Sequence, residues 1–366
     1  MRIAQVAPLY ESAPPGLYGG TERVVSWLTE ALVAAGHEVT LFASGDSVTN
    51  ALLVPCCKRA LRLDPNSIDP LVPHVLMLEK VFQRAEDFDL IHFHTDYLHF
   101  SSARREQTAC LTTLHGRLDI PDLVPLYQEF RELPLVSISD AQRKPLPWPN
   151  WVGTVHHGMP ADSLIPSLSG GDYLAFLGRV SPEKGLDRAI EIALRAGMPL
   201  KIAAKVDRAD QDYFEAKIKP MLHNSLIEFI GEIGHSEKSE FLGNAAALLF
   251  PIDWPEPFGI AMIEAMACGT PVIACPWGSV PEIVCPGVSG FLIKDINEGA
   301  AAVHRIGEID RAQCRRHFEL NFTDELMASN YLKIYQQLLD QKPASIQVEK
   351  EVLSWMEGES QTPSTT

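Results

Sequence analysis

The sequence predicts an α/β protein built as two doubly wound parallel-sheet halves that face each other across a cleft. Three observations predict it. Short apolar runs alternate with amphipathic stretches along most of the 366 residues, the pattern of strands followed by helices. The alternation stops at a Pro/Ser/Gly-rich stretch after His157 and restarts at Tyr173. A chain of this length also exceeds one comfortable hydrophobic core. The expected division is a first domain over 1–157, a linker over 158–171 and a second domain over 172–341, with the last helix free to cross back. Residues 342–366 read as a polar tail in which Ile346 to Met356 has the pattern of a short amphipathic helix, though fraying is expected there.

In the first half, Ile3 to Leu9 is a strand, and a Pro- and Gly-rich loop leads through Gly19-Gly20 into a helix over Thr21 to Ala35. Val24, Leu28, Leu32 and Ala35 share one face of that helix. Gly36 stops it, and Val39 to Ala43 is the second strand. Asn50 to Pro73 reads as irregular. A helix from about Leu71 to Ala85 follows, then strands at Leu90–His94, Ala109–Leu114, Leu135–Ser139 and Trp151–His156. The second half repeats the scheme. Strands are predicted at Tyr173–Leu177, Leu200–Val206, Ile227–Ile230, Ala247–Ile252, Pro271–Ala274 and Gly290–Ile293. Helices are predicted up to Ala196, over Gln211–Leu222, Glu237–Asn244 and Phe258–Ala267, and over most of Asn297 to Leu339.

Composition narrows the function. A formal net charge of −16 argues against a nucleic-acid partner and against wholesale attraction to anionic lipid. The apolar runs are far shorter than the roughly 20 residues that span a bilayer, so no transmembrane segment is expected. Seven cysteines with no C-x-x-C pair suggest reduced thiols rather than a disulfide or zinc framework. Met1-Arg2 leads directly into a strand without an apolar signal segment, so the expected location is cytoplasmic.

The chemistry-bearing residues gather at predicted strand ends. Glu256 sits just before the helix over Phe258–Ala267, and Glu264 lies about two turns along that otherwise apolar helix. The carboxyl end of a strand beside a helix N-terminus is where open α/β sheets take phosphorylated ligands. The same pair could simply complement the helix dipole and reach into water. Arg179 and Lys184, in the loop Gly178 to Gly185 after the second half's first strand, suit a pyrophosphate: one offers a fork of donors, the other a point charge. Gly19 and Gly20 let a backbone approach a phosphate, although a flexible turn uses the same residues. Lys205 ends a strand in the second half, from which it could reach a nucleotide or a phosphate. Asp87-Phe88-Asp89 has a D-x-D form, but at the amino end of its strand, where a structural role is expected. His92, His94 and Asp96 alternate as metal ligands can, yet read better as satisfied polar groups at the strand's carboxyl end, with Asp96 and Tyr97 lining the cleft. Trp254 reads either as a wall of the site or as packing, and His156-His157 as hinge packing. Glu282 reads as a capping or packing residue.

Together these landmarks resemble a known family. Glu256 and Glu264 match an E-x7-E motif, and Gly178-Arg179 with Lys184-Gly185, Gly19-Gly20-Thr21-Glu22, and Thr113-Leu114-His115-Gly116 match the others in the right order. The chain resembles a family-4 retaining glycosyltransferase of GT-B fold, with two Rossmann-like domains, over roughly residues 1–340. The resemblance implies that Arg179 and Lys184 hold the donor diphosphate and carry charge on the leaving nucleotide. It implies that Glu264 binds ribose hydroxyls, Glu256 binds the donor sugar, and amides at Phe258, Gly259 and Ile260 add contacts. It further implies that Gly19 and Gly20 bring amides to the phosphates, and that His115 sits near the anomeric centre, with Asp96 and Tyr97 beside it on the acceptor side of the cleft. The expected activity is transfer of a hexose from a nucleotide-diphosphate sugar, UDP-glucose foremost, with no metal or other cofactor. The acceptor is a small molecule, a lipid-linked precursor or an oligosaccharide, and the acidic surface leans toward a soluble one. A non-catalytic sugar-nucleotide sensor and an epimerase on the same fold are the alternatives.

Overall fold

The structure, a computed structural model, describes residues 1–341. The expectations for the tail over 342–366 lie outside them. Two sheets organise the chain, and every strand pairing in both is parallel. The first contains β1 (Arg2–Val6), β2 (Glu38–Ser44), β3 (Leu52–Cys57), β4 (Leu90–Phe93), β5 (Ala109–Thr113), β6 (Leu135–Ser137) and β7 (Trp151–Thr154). Its seven strands run in the order β3-β2-β1-β4-β5-β6-β7. The second contains β8 (Tyr173–Arg179), β9 (Leu200–Lys205), β10 (Ile227–Gly231), β11 (Ala245–Phe250), β12 (Val272–Ala274) and β13 (Gly290–Leu292). Its six strands run β10-β9-β8-β11-β12-β13. Strand order therefore reverses between β1 and β4 and again between β8 and β11, and such reversals open a crevice at the carboxyl ends.

The central strands are buried on both faces because helices cover both, so they read as near-continuous apolar runs. Ala247, Leu248 and Leu249 of β11 are fully buried, as are Ile3 and Ala4 of β1. Leu248 and Leu249 point to opposite faces and join different core clusters.

Two stretches differ from expectation. The region expected to be irregular holds β3, an edge strand paired with β2. Pro55 within it and its polar flanks disguise it, and an edge strand tolerates a residue that cannot donate to a ladder. The helix expected over Gln211–Leu222 is instead a short α turn, a π turn over Phe214–Ile218 and a tight turn over Lys219–His223. Pro220 lacks the N–H that a continuous helix needs.

The two halves are joined side by side at two crossings. The Met159 N–H donates to the Phe322 carbonyl at 3.0 Å, and the Asp324 N–H donates back to Met159 at 3.2 Å. The Pro/Ser/Gly-rich stretch is laid along the second half, where Arg311 donates to the Ser167 carbonyl at 2.7 Å. From Thr323 the helix Asp324–Asp340 runs back over the first half and packs on the helix Gly20–Ala34. Glu282 adds a further strap, accepting from the amides of Asp140 and Ala141 at 2.8 Å each and meeting His156 at 3.1 Å.

Candidate active site

The carboxyl ends of the two sheets face each other across a cleft of about 590 Å³. Gly19, Gly20, Asp96, Tyr97 and His115 line it from the first half, and Arg179, Lys184, Lys205, Glu256, Phe258, Gly259, Ile260 and Glu264 from the second. The residues that the resemblance assigns to donor and acceptor thus meet in one place, whereas the Asp87-Phe88-Asp89 stretch does not line it.

On the second half, Arg179 ends β8, Lys205 ends β9, and Glu256 follows β11. Glu256 does not merely attend a helix dipole. It is 7% exposed, forms an ion pair with Lys184, and accepts from the Trp254 indole at 3.0 Å. The Lys184 ammonium also lies 4.8 Å from the centre of the Trp254 ring. Trp254 therefore holds the Lys184–Glu256 pair in place. The backbone of Gly278 passes so close that a Cβ there would lie 2.3 Å from both the amide nitrogen and the carbonyl oxygen of Glu256. Gly259, at φ 86°, starts the helix Ile260–Ala267 in the left-handed region that glycine adopts without strain.

Glu264 does not reach into water either. It is 2% exposed and paired with Lys238 at 2.6 Å. Arg179 contacts Glu183 at 2.9 Å and Asp207 at 3.8 Å, and its buried Nε has no hydrogen-bond partner. Lys205 pairs with Asp207 at 3.1 Å. The second half thus presents cations held by carboxylates at strand ends, with one guanidinium nitrogen left to satisfy.

The first half contributes backbone and imidazoles. The loop before Gly19 bridges the cleft: the Tyr18 N–H donates to Glu232 at 3.1 Å, and Lys205 lies 5.4 Å from the Tyr18 ring. A Cβ on Gly20 would lie 3.6 Å from Ile260 Cδ1, so this turn abuts the opposite helix. His115 follows β5 and contacts His94 at 2.9 Å. Its ring stacks on His157, which packs on Phe258. Burial drives the His115 pKa down to about 3 and those of His94 and His157 well below the ordinary imidazole value, so the cluster is neutral. His115 Nδ1 is buried without a partner. Asp96 has φ 50°, the left-handed region that a residue with a Cβ visits at a cost, at the cleft mouth. The mass of protein around it raises its carboxyl above the usual range.

His92 and His94 are engaged with Thr113, Tyr335, Gln5 and His115, as expected of satisfied polar groups. Among the described residues no group of three His, Cys, Asp or Glu side chains is placed to hold a metal ion. Asp89 accepts from the Arg2 guanidinium at 2.8 Å at the amino end of β4, away from the cleft. Lys238, Tyr18 and Gln5 were not foreseen. A buried Glu264 demands a cation, but the chain's Lys and Arg residues offer many candidates. Only the packing of the helix His235–Gly243 selects Lys238.

Family comparisons agree with this geometry. The model for Glycosyltransferase Family 4 matches residues 18–166, and that for Glycosyl transferases group 1 matches residues 166–311. The chain belongs to glycosyltransferase family 4. Among the relatives of this family member is the O-antigen chain mannosyltransferase C of Escherichia coli, 24% identical over 93% of this chain and 100% of that protein. Among solved structures, the sucrose-phosphate synthase of Thermosynechococcus elongatus superposes with a TM-score of 0.75 at 20% identity, covering 93% of this chain and 99% of that one. Anabaena HepE, solved in complex with UDP and glucose, gives a TM-score of 0.67 at 17% identity over 91% and 98%. The two-sheet architecture is the GT-B fold.

Proposed function

We propose that the chain is a retaining hexosyltransferase that takes UDP-glucose as donor and needs no divalent metal. The observation that carries this reading is the set of cations, Arg179 and Lys205 at strand ends and Lys184 in the turn after β8, gathered beside two buried glutamates in one cleft. In this reading Arg179 and Lys184 grip the diphosphate, Arg179 Nε finding there the acceptor it lacks. Their charge offsets what accumulates on the leaving phosphate, the role a metal plays elsewhere. Glu264 takes ribose hydroxyls, and Glu256 takes hydroxyls of the sugar ring. Amides at Phe258, Gly259 and Ile260 add contacts from the second half, and those at Gly19 and Gly20 from the first.

The bond from the anomeric carbon to the β-phosphate oxygen breaks as the acceptor hydroxyl bonds to that carbon on the same face. The acceptor proton passes to the departing phosphate oxygen, leaving UDP. The transition state is oxocarbenium-like, and His115, being neutral, serves as a hydrogen-bond partner rather than a cation. We place the reaction in the cytoplasm, where the unpaired thiols of all seven cysteines stay reduced.

For the acceptor, the helix Leu71–Phe82 carries His74 into the cleft while Leu71, Val72, Val75 and Leu76 stand exposed. An apolar surface beside the cleft favours an acceptor with an apolar part over the soluble one that the acidic charge suggests. The test is UDP or GDP release from UDP-glucose, other UDP-hexoses and GDP-mannose, with and without lipid-linked and free sugar acceptors, in EDTA. Release dependent on UDP-glucose and on an acceptor supports the reading. Binding without release in any combination favours a sensor, and a strict need for a divalent ion removes the metal-free step.

A further inference from the structure

The cleft histidine is tied to the helix Asp324–Asp340 by an unbroken run of hydrogen bonds, buried beyond its first link. His115 Nε2 meets His94 Nδ1 at 2.9 Å, and His94 Nε2 meets Gln5 Oε1 at 2.8 Å. Gln5 Nε2 donates to the Tyr335 hydroxyl at 3.1 Å, and that hydroxyl meets His92 Nδ1 at 2.7 Å. His92 Nε2 then meets Thr113 Oγ1 at 2.7 Å, and Thr113 meets the Tyr331 hydroxyl at 2.9 Å. Gln5 sits at the centre, fully buried on β1.

Each neutral imidazole in such a run has one N–H and one lone pair, so a single choice of direction sets every proton. The Gln5 amide makes that choice, because its oxygen faces His94 and its nitrogen faces Tyr335. An oxygen only accepts, so His94 carries its proton on Nε2 and offers a lone pair at Nδ1. His115 must then carry its proton on Nε2 and donate it to that lone pair. What remains on His115, a residue that lines the cleft, is Nδ1, unprotonated, buried and without a hydrogen-bond partner. In the other arm Gln5 donates to Tyr335, Tyr335 to His92, and His92 to Thr113, with no conflict anywhere along the run.

Resting on the glycosyltransferase reading, we propose that Gln5 and His94 are positioning residues that hold His115 as the Nε2–H tautomer, presenting its Nδ1 lone pair to a hydroxyl of the donor sugar. Tyr335 orients the Gln5 amide, so the helix that crosses back between the halves takes part in setting the proton on a cleft side chain. Neither Gln5 nor Tyr335 touches the sugar.

The direct test is nitrogen-15 NMR of the full-length protein labelled at histidine, with the His115 ring assigned through a His115→Gln variant. The expected spectrum shows a single neutral tautomer protonated at Nε2. A ring protonated at Nδ1, or one averaging between tautomers, overturns the proposal, and this outcome does not depend on any activity. Gln5→Met removes the fixed acceptor for His94, and Tyr335→Phe removes the group that orients the Gln5 amide. In either variant the expected loss is roughly tenfold in affinity for UDP-glucose, the worth of about one hydrogen bond, with affinity for UDP unchanged. Equal losses for UDP and UDP-glucose mark a merely structural role and also overturn it. If the wild-type protein binds neither compound while its His115 carries the expected tautomer, the relay stands and the glycosyltransferase reading fails.

Discussion

Replacing Lys238 by Met tests the ion pair beneath the cleft. The two side chains are 13% and 3% exposed, so water does little to screen the pair or to replace a missing partner. Removing one member of a buried ion pair leaves an uncompensated charge and costs about 3–5 kcal/mol. Arg23 also feels the charge of Glu264 from the first half, leaving partial compensation, so the lower end, about 3 kcal/mol, is expected. For a domain of this size that lowers the melting midpoint by about 6–12 °C. The double variant Lys238→Met/Glu264→Gln removes both charges and should recover more than half of the loss, because the cost lies in the orphaned carboxylate. Calorimetry on the single variants and the pair completes a double-mutant cycle. The two halves need not unfold together, so the transition of the second half is the one to follow. A Lys238→Met midpoint within about 2 °C of wild type, or a double variant no better than the single one, refutes the reasoning.

Two further outcomes follow from the geometry. The buried histidines make the first half acid-sensitive. Burial depresses the folded-state pKa of His99 and His115 from 6.5 to about 3, and holds His92, His94 and His157 well below 6.5. A depressed folded-state value means that the unfolded chain binds more protons, so this stability is present above pH 6.5 and is lost as pH falls. Each group contributes a slope of up to about 1.4 kcal/mol per pH unit below its unfolded pKa. Urea midpoints of the first half should be flat from pH 7 to 8 and fall steeply below pH 6, and an equally flat profile down to pH 5 contradicts the burial. Gly278→Ala forces a Cβ against the Glu256 backbone, and should reduce both the stability of the second half and UDP-glucose turnover while leaving the unfolding of the first half in place. Unchanged turnover in that variant would show that the Glu256 loop tolerates displacement.

Much of this molecule is legible in its sequence for identifiable reasons. Strands such as β8 and β11 are buried on both faces and appear as short apolar runs between turn signals. Charged residues directly after such runs, Arg179 and Glu256 among them, fall at carboxyl ends where doubly wound sheets place ligands. Local chemistry hides the rest. β3 is an edge strand containing Pro55, and its apolar alternation is too broken to register. The turns over Gln211–His223 begin with helical periodicity that Pro220 interrupts. The partners of the glutamates are tertiary facts: Lys184 lies 72 residues from Glu256, and Lys238 lies 26 from Glu264 on a different helix. The relay through Gln5 is similarly hidden, since Tyr335 reaches it only because the helix Asp324–Asp340 crosses back. The exposed apolar side chains of the helix Leu71–Phe82 are another case, because periodicity identifies the helix without saying how much of it the domain covers.

Calorimetric titration of UDP into the wild-type protein, Arg179→Ala and Lys184→Met tests most directly the claim that these cations hold the donor diphosphate. The account predicts binding by the wild type and a loss of tenfold or more in each variant, about 1.4 kcal/mol or above. UDP affinity that survives both substitutions unchanged would place the nucleotide elsewhere and contradict it.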